Sequence, residues 1–194
     1  LITMGGLSVE MARFLHAAVQ LKKNLIVSGA TSSGKTTLLN AISSFIPADQ
    51  RIIVIEDASE LQLQQPHMIR METQKNDQLH IEIRDLVKSS LRLRPDRIVI
   101  GEVRGPEALD LLQAMTTGHS GSMATLHANN PKQALSRLET LIMMNKLEMP
   151  LLAIRSQVAS SIQIIVQANR LRDGTRRLTH ISELCGLDED GNYV

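Results

Sequence analysis

The sequence is poor in cysteine and in aromatic residues. Its 194 residues include one cysteine and no tryptophan, and aromatic residues make up 2% of the chain. A single thiol, Cys185, cannot form an intramolecular disulfide. We expect it to be a small core residue in a reducing compartment. So few rings offer little surface for stacking nucleic-acid bases, and direct nucleic-acid binding is not expected.

An excess of one charge and long apolar runs are also missing. Lys and Arg number 21 against 20 for Asp and Glu, so charge alone indicates neither a DNA-wrapping nor a membrane-surface protein. No apolar run approaches the roughly 18 residues of a spanning helix, and the N-terminus lacks the order of a signal peptide. Any membrane contact is therefore expected to be peripheral.

The first eight residues, Leu-Ile-Thr-Met-Gly-Gly-Leu-Ser, are typical of a linker that enters a helix. We interpret residues 1–7 as the end of an interdomain linker and expect an upstream domain in the full-length protein. Ser8 is the expected N-cap of a first helix that ends near Leu21. With 43% hydrophobic residues, the chain is expected to form one domain.

Apolar strands and helices alternate along the rest of the chain. Strands are predicted at 24–28, 51–56, 68–73, 97–103 and 122–128. Helices are predicted at 36–45, 81–93, 106–118, 131–146 and 153–162, and an exposed loop at 74–78. Asp173-Gly174 between strands at 164–172 and 177–184 indicates an antiparallel hairpin. The pattern predicts an α/β fold, with a mainly parallel sheet flanked by helices and a C-terminal antiparallel hairpin.

Residues 29–36 read Gly-Ala-Thr-Ser-Ser-Gly-Lys-Thr, a complete P-loop between a strand and a helix. Its glycines let backbone N–H groups surround a phosphate, and the helix directs its positive dipole end there. We expect Lys35 to reach the β and γ phosphates, Thr36 to bind Mg²⁺ and Thr37 to contact the α phosphate. The expected cofactors are ATP and Mg²⁺. The predicted binding residues are Gly29, Ala30, Thr31, Ser32, Ser33, Gly34, Lys35, Thr36 and Thr37.

Hydrolysis also needs a carboxylate that polarises the attacking water and helps to bind the metal. Glu102 stands near the carboxyl end of a predicted buried strand, where a charge would face the nucleotide. It is the predicted catalytic and metal-binding acid. Glu56, beside Asp57, ends another strand in the same way. The alternative for both is an ordinary solvated strand end.

Two histidines and a run of arginines are further candidates. His119 and His127 are expected at one rim of the sheet, near the γ phosphate, with solvated loop histidines as the alternative. Because the acids and cysteines that would complete a ligand set are missing, we expect no structural zinc. An arginine that acts on a neighbouring subunit's phosphate could come from Arg84, Arg92, Arg94, Arg97 or Arg104. The sequence does not say which, and Arg104 is included among the candidate catalytic residues.

Four motifs, in family order, resemble those of the GspE-like type II/IV secretion ATPase superfamily. The resemblance extends over nearly the whole chain. The first is the P-loop. The second, at 55–61, is Ile-Glu-Asp-Ala-Ser-Glu-Leu and is similar to the Asp box, and the third, at 100–105, is Ile-Gly-Glu-Val-Arg-Gly and is similar to Walker B. The fourth, at 117–129, is Thr-Gly-His-Ser-Gly-Ser-Met-Ala-Thr-Leu-His-Ala-Asn and is similar to the His box. Segments 61–67, 94–97 and 134–140 look most like the CpaF/TadA branch of Tad (Flp) pilus-assembly ATPases. Conjugative type IV secretion ATPases are the second choice.

The resemblance implies a RecA-like C-terminal ATPase domain over residues 1–194 and a homohexamer with nucleotide between subunits. It also implies a motor in the bacterial cytoplasm, docked on inner-membrane platform proteins. By position, Glu102 becomes the Walker B acid, Glu56 and its neighbouring acids position water or metal, and His119 and His127 form the His-box pair.

The chain departs from the family at Ala30 and Ser32, where glycine is common, and in lacking the four-cysteine zinc element of some members. A nucleic-acid translocase and a nucleotide-dependent switch are the other function classes that the sequence leaves open. An aromatic-poor chain of balanced charge disfavours the translocase.

Overall fold

The structure, a computed structural model, describes residues 1–76, 79–145 and 148–194. The strands in this part of the chain are β1 (Leu25–Gly29), β2 (Ile52–Glu56), β3 (Met68–Glu72), β4 (Gln74–Asn76), β5 (Leu79–Ile81), β6 (Arg97–Val103), β7 (Met123–His127), β8 (Ile164–Arg170) and β9 (Arg176–Glu183). The helices are α1 (Val9–Gln20), α2 (Lys35–Ser43), α3 (Ile83–Ser90), α4 (Glu107–Thr116), α5 (Pro131–Met143) and α6 (Leu151–Ser161), and a 3₁₀ turn covers Leu91–Leu93.

The main sheet has the order β3-β2-β6-β7-β1-β8-β9 within the described residues. Neighbouring strands are parallel except for β8 and β9, which form the expected antiparallel hairpin. The α/β prediction is therefore confirmed. Among the described helices, none combines the length and apolar character that a membrane span requires.

Helices cover both faces of the sheet. Successive residues of a strand point to opposite faces, so each strand contributes side chains to both cores. On one face, Leu25 and Val27 of β1 belong to a core that includes residues of α1 and α2. On the other face, Ile26 belongs to a core that includes residues of α3, α4, α5 and α6. Both faces are thus buried, which explains the continuous apolar runs of the central strands.

Several predicted boundaries differ from the structure. Residues 74–76 form β4, paired antiparallel with β5, so the prediction of a loop there is wrong, and residues 77–78 lie outside the described residues. β4 consists of three polar residues, so no apolar alternation in its sequence reveals a strand. The helix predicted from residue 81 begins at Ile83. The helix predicted to 146 ends at Met143, and residue 146 is also outside the described part. Cys185 is exposed rather than buried.

Arg97 is a buried cation at the amino end of the parallel strands. Its side chain is 0% exposed. It donates hydrogen bonds to Val19 O at 2.7 Å, Gly121 O at 3.2 Å and Gln50 Oε1 at 2.5 Å. Burial lowers the pKa of Arg97 to about 10, which leaves it charged at neutral pH. Arg97 therefore connects the end of α1 with the segments that enter β2 and β7.

Candidate nucleotide-binding site

The P-loop leaves the carboxyl end of β1, near the middle of the sheet. Gly29 cannot be replaced without displacement, because a Cβ there would overlap Ser33 Oγ and the carbonyl oxygen of Ala168. Gly34 has φ +95° and precedes α2, whose first turn has no side-chain cap among the described residues. The first N–H groups of α2 are therefore available to an anion. Ser32 is also left-handed, with φ +59°, a conformation that favours glycine.

A cavity of about 730 Å³ lies over this loop. Its described lining includes four basic side chains, Lys35, Arg104, Arg137 and Arg176, two acidic ones, Glu60 and Glu102, and also Thr31, Ser32, Gly34, Thr36, Thr37 and His127. The volume is within the range of small-molecule sites. The excess of positive over negative side chains suits a polyphosphate.

Lys35 lines the cavity and is partly withdrawn from solvent. Its Nζ donates a hydrogen bond to Ala30 O at 3.1 Å. Burial lowers the pKa of Lys35, while the nearby carboxylate of Glu102 opposes this shift and Arg104 adds to it. A phosphate at this position would supply the negative charge that favours the protonated amine.

Glu102 lies in the cavity, as the sequence predicts. The register of β6 against β7 shifts between Ile100 and Val103, and such irregularities redirect side chains at the ends of strands. Arg104 donates from Nη2 to Glu102 Oε2 at 2.5 Å, and its Nη1 is 3.4 Å from Asp57 Oδ2. The hydrogen bond with Glu102 is the largest cause that raises the pKa of Arg104. The structure therefore brings these two candidates together with Lys35.

Glu56 lies apart from the main cavity and is 4% exposed. It lines a smaller adjoining cavity of about 210 Å³, which Thr36, Glu60 and Glu102 also line. Glu60 Oε2 is 3.4 Å from Thr36 Oγ1. Sequence reasoning included Glu60 only as one of the acids that neighbour Glu56 in the 55–61 motif, and did not place it beside Thr36. Glu60 lies near Thr36 because the loop after β2 folds back toward α2.

The two histidines lie at opposite ends of β7. His127 pairs in register with Gly29 and lines the cavity. His119 precedes the first residue of β7, which pairs with the first residue of β1. A five-residue strand spans about 17 Å at roughly 3.3 Å per residue. The expectation that both histidines share one rim is therefore wrong for His119, because parallel pairing fixes which end of β7 faces the P-loop.

The arginine run is dispersed by the fold. Arg97 is in the core and Arg84 Nε lies 2.9 Å from Asp110 Oδ2 on α4, whereas Arg104 reaches the cavity. Sequence reasoning missed Arg137 of α5 and Arg176 of β9. Arg176 donates from Nε to Ser32 O at 3.0 Å. The sequence identified the hairpin but held no local signal that this strand folds against the P-loop.

The residues at this site suit a magnesium-bound nucleotide. No group of three or more His, Cys, Asp or Glu side chains among the described residues is placed to hold a metal by itself. The Thr36 hydroxyl and the carboxylates of Glu60 and Glu102 are hard oxygen donors, and Mg²⁺ takes its remaining ligands from phosphates and water.

A family model described as "Type II/IV secretion system protein" matches residues 1–181. The chain belongs to this family. Relatives within it include a putative conjugal transfer protein of Mycobacterium tuberculosis, 38% identical over 187 residues, which cover 95% of this chain and 53% of that protein. The type IV secretion system protein VirB11 of Brucella suis is 36% identical over 179 residues, covering 88% of this chain and 49% of that protein. The chain spans about half the length of these relatives.

Solved structures of two ATPases share the fold. The VirB11 ATPase of the Brucella suis type IV secretion system, in complex with sulphate, matches with 34% identity and a TM-score of 0.82, covering 90% of this chain and 52% of that chain. The Legionella pneumophila ATPase DotB matches with 23% identity and a TM-score of 0.70, covering 98% and 51%. DotB supports the fold alone. The fold of this secretion-family chain is RecA-like.

Proposed function

We propose that this chain is the Mg²⁺-dependent, ATP-hydrolysing domain of a motor that drives secretion or pilus assembly. The observation that carries the proposal is the common cavity of the P-loop and Glu102. Binding groups and a carboxylate suited to activate water are thus within reach of one ligand. Sulphate, a tetrahedral dianion like a phosphate group, is bound in the related VirB11 structure.

Each part of the cavity has a distinct role in this proposal. The N–H groups of the P-loop and of the first turn of α2 hold the phosphates, together with Lys35 and Arg176. When bound, Mg²⁺ would neutralise charge on the β and γ phosphates, with Thr36 and Glu60 on its side of the site. Glu102 orients the attacking water and accepts its proton as the bond from the γ phosphorus to the bridging oxygen breaks. ADP and phosphate are the products.

His127 and two arginines lie where negative charge develops. His127 and Arg137 line the cavity beside the P-loop, so both are suited to contact the γ phosphate. Arg104 already contacts Glu102. Guanidinium groups stabilise the transferred phosphoryl group through its equatorial oxygens. The arginine that acts on a neighbouring subunit would be an exposed one, such as Arg92 or Arg94, since Arg97 is buried.

The wider machine is part of the proposal. We propose that the full-length protein forms a homohexamer with nucleotide between subunits, works in the bacterial cytoplasm, and docks on inner-membrane platform proteins. We propose Tad pilus assembly as the process that the motor drives, because the segments at 61–67, 94–97 and 134–140 resemble the Tad pilus-assembly ATPases. A conjugative type IV secretion ATPase is the second candidate, supported by the relatives from Mycobacterium tuberculosis and Brucella suis.

Steady-state ATP hydrolysis and particle mass, measured on this chain and on the full-length protein, test the proposal. Each should be assayed with and without Mg²⁺ and single-stranded DNA. We expect Mg²⁺-dependent turnover by the hexameric full-length protein, unaffected by DNA, and loss of nucleotide binding in Lys35→Ala. Strong stimulation by DNA would instead indicate a translocase, and tight binding without turnover would indicate a switch.

A further inference from the structure

Glu56 uses its carboxylate to bind the protein backbone. Its Oε1 accepts hydrogen bonds from the amides of Glu60 at 3.1 Å and Leu61 at 2.9 Å. A buried carboxylate is costly unless it is paired in this way. Amide hydrogen bonds to a carboxylate are charge-assisted and strong, so Glu56 fixes the end of the loop that follows its own strand.

Arg70 holds the same loop from the neighbouring strand β3. Its Nη1 donates to Leu61 O at 2.6 Å and to Ser59 Oγ at 2.9 Å. Leu61 itself is 0% exposed. The amide of Leu61 is therefore bound by the Glu56 carboxylate and its carbonyl by the Arg70 guanidinium. These contacts restrict the backbone at the adjacent Glu60.

The sheet leaves room for this carboxylate at one glycine. A Cβ on Gly101 of β6 would lie 2.9 Å from Glu56 Cγ and 3.2 Å from Glu56 Oε1. Gly101 directly precedes Glu102, so the space for Glu56 is next to the residue that reaches into the cavity. Packing and hydrogen bonding thus agree that Glu56 is directed into the protein and toward the loop.

We propose that Glu56 is a positioning residue: it binds the amides of Glu60 and Leu61 and thereby holds the Glu60 carboxylate beside Thr36, on the magnesium side of the site. This assignment rests on the proposed function. It replaces a direct role for Glu56 with an indirect one. The acceptor oxygen is what matters at residue 56, whereas negative charge is what matters at residue 60.

Glutamine and alanine at residue 56 separate the two roles, because Gln keeps an acceptor oxygen and Ala removes it. In the full-length protein, Glu56→Gln should retain most turnover, within about fivefold, whereas loss of a catalytic acid costs about 10²–10⁴-fold. Glu56→Ala should raise the Mg²⁺ concentration for half-maximal nucleotide binding by about 10- to 100-fold. Glu72→Ala, exposed at the paired position on β3, should change neither quantity.

Hydrogen exchange at the Glu60 and Leu61 amides provides a readout independent of turnover. Exchange should accelerate in Glu56→Ala and stay slow in Glu56→Gln. In a Glu60→Gln background, Glu56→Ala should lower turnover no further, because both changes act through one carboxylate. If Glu56→Ala does not fold, Arg70→Met, which releases the loop from its other side, should produce the same Mg²⁺ shift.

The proposal is overturned if Glu56→Gln is as inactive as Glu60→Gln, or if the losses in the double variant multiply. Inactivity of the wild-type protein would count against the proposed function instead. In that case unchanged amide exchange in Glu56→Ala would still overturn the positioning role by itself.

Discussion

Arg104, which directly follows β6, donates a hydrogen bond from Nη2 to Oε2 of Glu102 in that strand, at 2.5 Å. The amides of Arg104 and Gly105 are held in turn by Glu107 Oε1, at 2.7 and 2.8 Å. The backbone that carries Arg104 is therefore fixed while its side chain, exposed at 63%, remains free to exchange partners. In the proposed mechanism, we expect Arg104 to exchange its contact with Glu102 for a contact with a phosphate when nucleotide binds.

Glu102→Gln should keep nucleotide affinity nearly unchanged and lower turnover by about 10²–10⁴-fold, because the amide cannot accept a proton from water. A fluorescent-nucleotide titration and a phosphate-release assay measure the two effects separately. Glu189→Gln, in an exposed turn near the C-terminus, is the matched control. Equal turnover in Glu102→Gln and wild type would exclude Glu102 as the catalytic acid.

Arg176→Ala should weaken nucleotide binding by about tenfold, which corresponds to about 1.4 kcal/mol for one lost charge-assisted contact. The reason is its position against Ser32 and in the lining of the cavity. Titrations should be made at low and high salt, since this contribution should shrink as salt screens it. Arg172→Ala, exposed in the hairpin turn, provides the comparison. If both variants bind alike, Arg176 has no role in binding.

Features that are contiguous in sequence were predictable, and those that depend on folding back of the chain were not. The strand 97–103 has the same bounds in prediction and structure, because an apolar run flanked by breakers is a local signal. The P-loop is equally local. Glu60 and Arg176 reach the cavity only through the course of a loop and a hairpin, so sequence spacing did not place either of them there. His119 was misplaced because it precedes its strand, and in a parallel sheet the residues before β7 lie at the end opposite the P-loop.

The burial of Arg97 was also not predictable from the sequence, because a dense run of arginines normally indicates exposed charges. Arg97→Met should lower the free energy of unfolding by about 2–5 kcal/mol, because the buried carbonyls of Val19 and Gly121 lose their donor. Burial lowers the folded-state pKa of Arg97 to about 10, well below its usual value. Arg97 is thus protonated in both folded and unfolded states between about pH 6 and 9, where the loss should be independent of pH.

Urea denaturation of Arg97→Met at several pH values measures this loss. Arg92→Met, from the exposed 3₁₀ turn of the same run, should change stability by no more than about 0.5 kcal/mol. A loss of equal size in both variants would mean that the charge of the run matters, rather than the buried contacts of Arg97.

Ser32 occupies a left-handed position in the P-loop, a conformation that favours glycine, and this makes a prediction possible. Ser32→Gly should raise the free energy of unfolding by about 0.5 kcal/mol, since relief of about 1–2 kcal/mol of strain exceeds the added chain entropy of about 0.5–1 kcal/mol. Ala30 has no such strain, because its φ is not positive. Ala30→Gly should therefore lower stability by about 0.4–1 kcal/mol.

Opposite signs for these two neighbouring substitutions, measured by urea denaturation without nucleotide, would show that strain at Ser32 is real and local. Turnover then tests its consequence. If the strain preorganises the loop for phosphate, Ser32→Gly should raise the KM for ATP while kcat stays the same, because a freer loop must be ordered on binding. A stability loss of the same size in both variants would mean that glycine acts only through the unfolded chain and that Ser32 stores no strain.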